Sequence, residues 1–289
     1  MKKKTKRNLI IAAIVIVLIA AGAAWFIYPF IRYSSHTLAY RSALPGNACY
    51  QYPIQYSKEG WFLIDCTLNG THKVPLRIDT QATSLMREDS IQAYGGEYWG
   101  DLPMTSANAY QEEHTPKLYT FTSIAFGEAS IQEPMFNGIR KDNVIYDVID
   151  EGVFGTEMLA IGTWKFDTEA GTMTLFHSNN KDLLAKETAG MTYLPQGLRE
   201  DSIPVYMNGL NEEIRFTLDL GYTGVLEINN ALADRLKTYF PYEEKIKQHG
   251  GKLTDTLTVF KIPVTVAGTR VDSCEVVNSR VVNANYIGA

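Results

Sequence analysis

Two segments of this 289-residue chain repeat the same order of elements, and that repeat restricts the possible folds more than any other feature. Residues 67–79 and residues 206–219 both read as a strand, an Asn-Gly turn and a second strand that ends on an aspartate. Asn-Gly between apolar runs is the strongest short-range signal for a β-hairpin. A glycine preceded by two apolar residues follows each aspartate at a similar distance, in residues 152–155 and residues 285–288. The repeat therefore predicts a duplicated unit with two equivalent aspartates.

The duplication divides the chain into two lobes, which we place at residues 48–185 and residues 186–289. The first lobe continues beyond its Val-Phe-Gly element through a helix-like segment and a hairpin, whereas the second stops one residue after Gly288. An apolar sheet edge would be left uncovered at that point. We therefore expect a further helix and strand beyond Ala289.

The local pattern is typical of a mostly β protein. Short runs of β-branched and aromatic residues, such as residues 50–56 and residues 61–68, are bounded by turn-forming residues. Helical patterns are few and short, and they cover residues 90–94, 156–161, 181–186 and 229–239. Together with the repeat, these elements predict a mostly β, bilobal architecture.

The N-terminus carries the pattern of a membrane anchor. Five lysine or arginine residues lie within residues 1–7, and an uncharged apolar run follows in residues 9–31. A helix of about 20 apolar residues crosses the hydrocarbon core of a bilayer. The cations before the run predict a single-pass protein with a cytoplasmic N-terminus and an extracytoplasmic globular part. We place the basic tip and anchor at residues 1–33 and a tether at residues 34–47. A cleaved signal peptide is the alternative, because the small residues 20–24 resemble a cleavage site.

Composition and side-chain spacing argue against several functional classes. The formal net charge of -5, without a basic stripe beyond the N-terminus, argues against a nucleic-acid partner. The five histidines are scattered, with no His-x-x-x-His or Cys-x-x-Cys pattern, so we expect neither a metal ion nor an organic cofactor. The three cysteines form no recognisable framework. Cys49 and Cys66 either pair or remain part-buried thiols, as Cys274 does.

The two repeated aspartates are the candidate catalytic residues. Asp79 and Asp219 each end an apolar strand, where burying a carboxylate is costly unless the group is paired or used. If the lobes face each other, the two groups share one proton, because like charges about 3 Å apart cannot both ionise. A water between them is then activated by the ionised carboxylate, while the protonated partner donates to the developing oxyanion.

The residues around these aspartates resemble a known family. Residues 78–83, Ile-Asp-Thr-Gln-Ala-Thr, are similar to the hydrophobic-Asp-Thr-Gly-Ala/Ser-Thr/Ser motif of pepsin-like and retropepsin-like aspartic peptidases. Residues 218–224, Leu-Asp-Leu-Gly-Tyr-Thr-Gly, resemble its second copy, and the resemblance covers nearly all of residues 48–289. It implies a bilobal pepsin-like acid protease fold that hydrolyses peptide bonds with water activated between Asp79 and Asp219.

The resemblance also implies roles for neighbouring residues. It assigns support of the two aspartates to Thr80, Gln81, Thr83, Gly221 and Thr223. The hairpin of residues 103–122 would be a flap over bound peptide, with Tyr110 near its tip. The partner is then a peptide or protein substrate. A monomer suffices because one chain supplies both aspartates, so a homodimer of the retroviral kind is unnecessary.

Two departures from the family motif leave the activity open. Gln81 stands where the family has glycine, and Leu220 stands where it has the Thr or Ser whose hydroxyl joins the two motifs. The first puts a side chain into a tight turn and the second removes a link, so the aspartates are expected to be less well pre-organised. The sequence therefore predicts either a membrane-anchored peptidase or a degenerate scaffold that binds a peptide or protein.

Overall fold

The structure is a computed structural model. It describes residues 3–108, 110, 112–177, 179–191, 202–207, 209–210, 212–249, 251–281 and 284–288. Strands make up 43% of the chain and helices 23%, which confirms the predicted mostly β class with an N-terminal apolar helix.

The helices are few, and all except the first are short. Helices α1 to α5 are Lys3–Ala39, Glu88–Ala93, Thr156–Leu159, Lys181–Glu187 and Asn230–Leu236. The last four overlap the four helical segments that the sequence predicts. Two 3-10 turns, Tyr40–Ser42 and Val144–Asp147, complete the helical elements of the described residues.

The first helix is long and apolar enough to cross a membrane over Ala13–Ala39, with a mean hydropathy of 2.4. It extends past the predicted anchor into the segment expected to be a tether. The following chain is packed, since Tyr40, Leu44 and Ala48 are buried in the core of the first lobe. The segment of residues 34–47 is therefore helical at its start and attached to the globular part, and is not a free linker.

The first lobe contains strands β1 to β15. In chain order they are Cys49–Pro53, Gln55–Tyr56, Phe62–Leu68, His72–Ile78, Leu85–Arg87, Glu97–Asp101, Ser106–Ala107, Glu113–His114, Lys117–Thr120, Ser123–Phe126, Ala129–Gln132, Met135–Ile139, Gly152–Phe154, Thr163–Asp167 and Thr172–Phe176. A ten-stranded sheet has the order β11-β10-β3-β4-β13-β5-β12-β9-β6, with β2 paired to β3. Strands β1, β15 and β14 form a smaller sheet, and β7 pairs with β8.

The turn between β3 and β4 has the geometry that its sequence predicts. Asn69 and Gly70 both have positive φ, 50° and 69°, as an Asn-Gly hairpin turn requires. Alternate residues of β4 then face the core, because successive side chains of a strand point to opposite faces. Val74, Leu76 and Ile78 are buried there.

The second lobe contains strands β16 to β22. They are Ser202–Met207, Glu213–Leu218, Leu226–Glu227, Tyr242–His249, Leu253–Val266, Thr269–Ser279 and Tyr286–Ile287. They form one sheet in the order β16-β17-β22-β18-β21-β20-β19, with a further pairing of β16 and β20. Its core is separate from the first and contains Phe216, Phe260 and Leu236. Asn208, in the second predicted Asn-Gly turn, lies outside the described residues.

The three cysteines are free thiols. Cys49 is exposed on β1, which pairs with β15, whereas Cys66 and Cys274 are buried in the two different lobes. The hypothesis of a Cys49–Cys66 pair is therefore wrong, because the two residues lie on strands of different sheets.

Candidate functional site

The two aspartates occupy equivalent positions, each directly after a central strand. Asp79 follows β4 and its backbone N–H donates to the Phe154 carbonyl of β13 at 3.2 Å. Asp219 follows β17 and its N–H donates to the Ile287 carbonyl of β22 at 2.9 Å. In both lobes the strand before the aspartate pairs in parallel with the strand of the apolar-apolar-Gly element. Distant segments of sequence thus position each aspartate in the same way.

The glycines of these two elements lie against the loops that follow the aspartates. A Cβ atom on Gly155 would lie 2.3 Å from the backbone nitrogen of Ser84. A Cβ atom on Gly288 would lie 2.1 Å from the carbonyl oxygen of Gly224. No side chain fits in either place, so the close approach of two backbone segments explains both glycines.

Backbone groups orient both carboxylates. Asp79 Oδ1 accepts hydrogen bonds from the N–H groups of Gln81, at 2.8 Å, and Ala82, at 2.9 Å. Asp219 Oδ1 accepts one from the N–H of Gly221 at 2.8 Å. Gly221 also lies against the other aspartate, because a Cβ atom there would be 2.2 Å from Asp79 Oδ2. The loop of the second lobe therefore meets the carboxylate of the first.

Thr80 joins the two loops. Its hydroxyl donates to the Leu218 carbonyl at 3.0 Å and accepts from the Leu220 N–H at 3.1 Å. Leu220, which lacks the hydroxyl expected from the family motif, is buried in the core of the first lobe instead. Gln81 compensates in part, since its side-chain amide also donates to the Leu218 carbonyl at 3.0 Å. The hydroxyl link from Thr80 is therefore present. The link expected at position 220 is replaced by the apolar packing of Leu220 and by the side-chain amide of Gln81.

Two of the predicted supporting residues do not contact the aspartates. Thr83 and Thr223 are both exposed in their loops. In the described part of the chain, neither hydroxyl bonds to Asp79 or Asp219. Ser84, which the sequence did not single out, is buried and takes a structural role next to Thr83.

Ser84 connects the Asp79 loop to the N-terminal helix. Its N–H and hydroxyl donate to Glu157 Oε2 at 2.9 and 3.2 Å, and its oxygen accepts from the Gly155 N–H at 3.1 Å. The Tyr33 hydroxyl on α1 donates to the other oxygen of Glu157. Helix α1 and the candidate site thus share one hydrogen-bond network.

The two aspartates influence each other electrostatically. The pKa of Asp219 is raised to about 6, mainly by burial and also by the negative charge of Asp79. The Gly221 N–H and the positive charge of Arg77 act against this rise. Gly221 connects the two groups, because its N–H donates to Asp219 Oδ1 and its Cβ position lies against Asp79 Oδ2.

Arg77 is a residue of this site that the sequence prediction missed. Its guanidinium lies 3.6 Å from Asp79 Oδ2, donates to the Gly221 carbonyl and stacks over the Trp61 ring at 4.1 Å. Burial lowers its pKa, while the negative charges of Asp79 and Asp219 raise it. The sequence could have indicated this position. Arg77 lies between Leu76 and Ile78 on β4, which are buried, so its side chain points to the opposite face of the sheet.

The predicted flap is a hairpin of the first lobe. Its arms are β6 and β9, and β7 pairs with β8 closer to the tip. At the tip, Asn108 Oδ1 accepts from the N–H groups of Tyr110 and Glu112 at 2.8 and 3.1 Å. Ala109, between Asn108 and Tyr110 in the sequence, lies outside the described residues. Burial raises the pKa of Tyr110, and the positive charge of Arg77 acts against the rise.

A hairpin of the second lobe approaches from the other side. It consists of β19 and the first half of β20, and Lys252 lies at its turn. The Lys252 ammonium donates to the carbonyls of Lys141 and Asn143 at 2.8 and 3.0 Å, and pairs with Asp147 at 2.9 Å. The flap tip contacts the same loop, since Asn108 Nδ2 donates to Asn143 Oδ1 at 3.2 Å. Both hairpins therefore meet over the first lobe.

No group of three or more His, Cys, Asp and Glu side chains is arranged to hold a metal ion within the described residues. The charged groups that meet around Gly221 are instead the carboxyl groups of Asp79 and Asp219 and the guanidinium of Arg77.

Comparison with known proteins gives a distant structural likeness. No protein-family model matches this sequence, and no curated protein matches it. Among solved structures, a retropepsin-like aspartic protease from Rickettsia conorii matches with a TM-score of 0.32 and 17% identity. The match covers 46% of this chain and 94% of that protein.

Proposed function

We propose that this chain is a membrane-anchored aspartic-type endopeptidase, in which Asp79 and Asp219 activate one water. The observation that carries the proposal is the position of Gly221, which belongs to the second aspartate's loop and touches the carboxylate of the first. The Thr80 hydrogen bonds to Leu218 and Leu220 support it, because they hold the two loops together. The matching strand pairings of the two lobes support the duplication on which it rests.

The raised pKa of Asp219 supports a mechanism in which this residue carries the proton of the pair. Asp219 holds it and Asp79 is the base. Asp79 takes a proton from the water as the water oxygen attacks the peptide carbonyl, and Asp219 gives its proton to the carbonyl oxygen. When the C–N bond of the neutral diol intermediate breaks, Asp79 gives its proton to the leaving nitrogen and one hydroxyl of the intermediate returns a proton to Asp219. Hydrolysis is therefore complete without a cofactor.

One observation favours a second function. The Arg77 guanidinium contacts Asp79 Oδ2, an oxygen that would otherwise face the water. If that contact persists in solution, Asp79 is a poor base. The chain is then a binding module that holds a peptide or protein in the same cleft without cleaving it.

The proposal extends to partners and location. The substrate is a peptide or protein, and the chain acts as a monomer because it supplies both aspartates. Helix α1 anchors it as a single-pass protein with the N-terminus in the cytoplasm and the two lobes outside, as the basic N-terminal residues predict. No nucleic acid is involved.

The test is cleavage of a mixed peptide library by the full chain in detergent, read by mass spectrometry at acidic and neutral pH. Cleavage should fall as the pH rises through about 6, because Asp219 then loses its proton. Asp79→Asn and Asp219→Asn should each lower the rate by about 10²- to 10⁴-fold. Asp272→Asn, at an exposed carboxylate on β21, is the matched control and should cleave normally. Peptide binding without cleavage by the unmodified chain would support the binding module instead.

A further inference from the structure

One face of the second-lobe sheet carries two buried carboxylates that the proposed mechanism does not use. Leu226 of β18 and Ile228, which follows the strand, both belong to the core of the second lobe. Because successive side chains alternate, Glu227 between them points to the opposite face. Asp255 lies on the same face, since it alternates in β20 with the core residues that begin at Phe260. Glu227 and Asp255 are only 5% and 2% exposed.

Glu227 is incompletely satisfied. Its Oε1 atom is buried and has no hydrogen-bond partner within the described residues. Burial raises the pKa of Glu227 to about 8, and the negative charges of Asp255 and Asp219 act in the same direction. A buried carboxyl group without a partner is costly unless a ligand completes it. The unpaired oxygen therefore marks a position for a hydrogen-bond donor.

The two carboxylates lie under the flap and beside the aspartate pair. Asp255 lies three residues beyond Lys252 in the hairpin of β19 and β20, and Lys252 and the flap residue Asn108 both contact Asn143. This hairpin therefore lies beside the flap tip. Thr217 of β17 pairs with Tyr286 of β22, which pairs with Glu227 of β18, so their side chains share one face of the sheet. Asp219 follows Thr217 by two residues, which places it on that same face. The space they face is thus part of the cleft in which a substrate would lie.

The walls of this space suit a long cationic side chain. Val259 pairs across the sheet with Val277, which in turn pairs with Glu227, so apolar groups flank the acidic one. Ser279 donates its hydroxyl to Asp255 Oδ2 at 2.6 Å and holds that carboxylate in place. A lysine or arginine side chain combines apolar methylene groups with a charged end that donates hydrogen bonds.

The chain itself already presents a cation to these carboxylates. Lys247 lies directly opposite Asp255 in the pairing of β19 with β20, and its charge lowers the pKa of Glu227. The Lys247 side chain is exposed, whereas a ligand cation in the pocket would meet the buried carboxyl groups directly.

We propose that Glu227 and Asp255 form a specificity pocket that binds a lysine or arginine side chain of the peptide, next to Asp219. The inference rests on the proposed function, because it assigns a side chain to the substrate of that same cleft. Glu227 releases its proton to solvent as the cation binds, because a nearby positive charge favours the carboxylate. Its Oε1 then accepts from the ligand's ammonium or guanidinium group, and Asp255 supplies the second negative charge. The pocket is a binding element and takes no part in bond breaking.

The experiment uses the full chain in detergent with Asp79→Asn, so that binding is measured without cleavage. The probes are two synthetic peptide pools with identical randomised flanks and a fixed central lysine or norleucine, which differ only in the charged end. A second pair carries arginine or citrulline. Bound peptide is measured by equilibrium dialysis and mass spectrometry. The cationic pools should bind about tenfold more tightly than their neutral partners, or more.

Adding Glu227→Gln to the Asp79→Asn chain should lower the affinity for the lysine pool to that for the norleucine pool. The affinity for the norleucine pool should stay unchanged. Glutamine keeps the size of the buried side chain, and thermal unfolding by circular dichroism verifies that the protein remains folded. Lys247→Met should have the opposite effect and strengthen lysine binding, which a purely structural acidic cluster would not do. Equal binding of charged and neutral pools, no binding of either pool, or a lysine preference that survives Glu227→Gln would each overturn the pocket.

The outcome is separable from the peptidase proposal. If the unmodified chain cleaves lysine and norleucine peptides equally well, the pocket is wrong and the peptidase stands. If it prefers cationic peptides in binding but cleaves none, the pocket stands and hydrolysis fails.

Discussion

The Arg77 guanidinium lies 3.6 Å from the Asp79 carboxylate, so the candidate site places a cation beside its two acidic groups. In the proposed mechanism a single proton is shared, and Arg77 favours loss of that proton because its charge lowers the pKa of Asp219. The arginine therefore controls the pH range in which the site holds one proton.

Replacing Arg77 with methionine should move the alkaline limit of cleavage to higher pH. The charge that lowers the Asp219 pKa is lost, so Asp219 keeps its proton to a higher pH. The measurement is the pH profile of kcat/KM, which reports the ionisation of the free enzyme.

Arg77→Lys is the control, because it keeps the charge while losing the planar donor group, and its alkaline limit should stay near that of the unmodified chain. An unchanged or lower limit in Arg77→Met would contradict the role assigned to the arginine.

Thr80→Val should weaken the contact between the lobes. The substitution keeps the shape of the side chain but removes the hydroxyl that donates to Leu218 and accepts from Leu220. The two backbone groups would then lie part-buried without that partner, which costs about 1–3 kcal/mol of unfolding free energy. Urea unfolding followed by tryptophan fluorescence measures the loss.

The matched control is Thr83→Val, three residues further along the same loop, where the hydroxyl is exposed. Its effect should stay within about 0.5 kcal/mol. Equal losses in both variants would show that the Thr80 hydroxyl does not join the loops.

The features that sequence could predict are those set by local pattern. The two hairpins that end on Asp79 and Asp219 follow from turn chemistry and alternation, and Gly155 and Gly288 follow from the repeat. Thr80 was assigned to support the aspartates and does contact the opposite loop.

The missed residues share a different property. Arg77 and Glu227 are charged residues that alternate with core residues, a pattern that normally indicates a solvent-facing side of a strand. Both side chains are nevertheless largely buried, and Arg77 meets the other lobe through the Gly221 carbonyl. Which face of a sheet meets a second lobe depends on how the lobes pack, and no local pattern records it. The Lys252 contact was missed for the same reason.

Lys252→Met should loosen the hairpin of β19 and β20. The ammonium makes two hydrogen bonds to backbone carbonyls and an ion pair with Asp147, and methionine replaces none of them. Hydrogen–deuterium exchange of the hairpin should become about tenfold faster, since loss of about 1.4 kcal/mol of local stability corresponds to that factor.

Lys261→Met is the control on the same strand. Lys261 is exposed on β20, within the half that pairs with β21, and it forms no ion pair among the described residues. Its exchange should match that of the unmodified chain. If Lys252→Met exchanges no faster than Lys261→Met, the contact over the first lobe is not maintained in solution.

Gly155→Ala should destabilise the first lobe, because the added Cβ would lie 2.3 Å from the Ser84 nitrogen and 2.4 Å from the Thr83 carbonyl carbon. Both are backbone atoms and cannot rotate away, so the loop that carries Asp79 must move. Overpacking of this kind costs about 1–3 kcal/mol, and the expected result is a lower midpoint in urea together with reduced cleavage.

Gly46→Ala is the control, since no atom lies within 4 Å of its Cβ position. That variant should unfold within about 0.5 kcal/mol of the unmodified chain. If Gly155→Ala keeps both its stability and its activity, the backbone of the Val-Phe-Gly element does not position Asp79, and the equivalence of the two aspartates loses its structural basis.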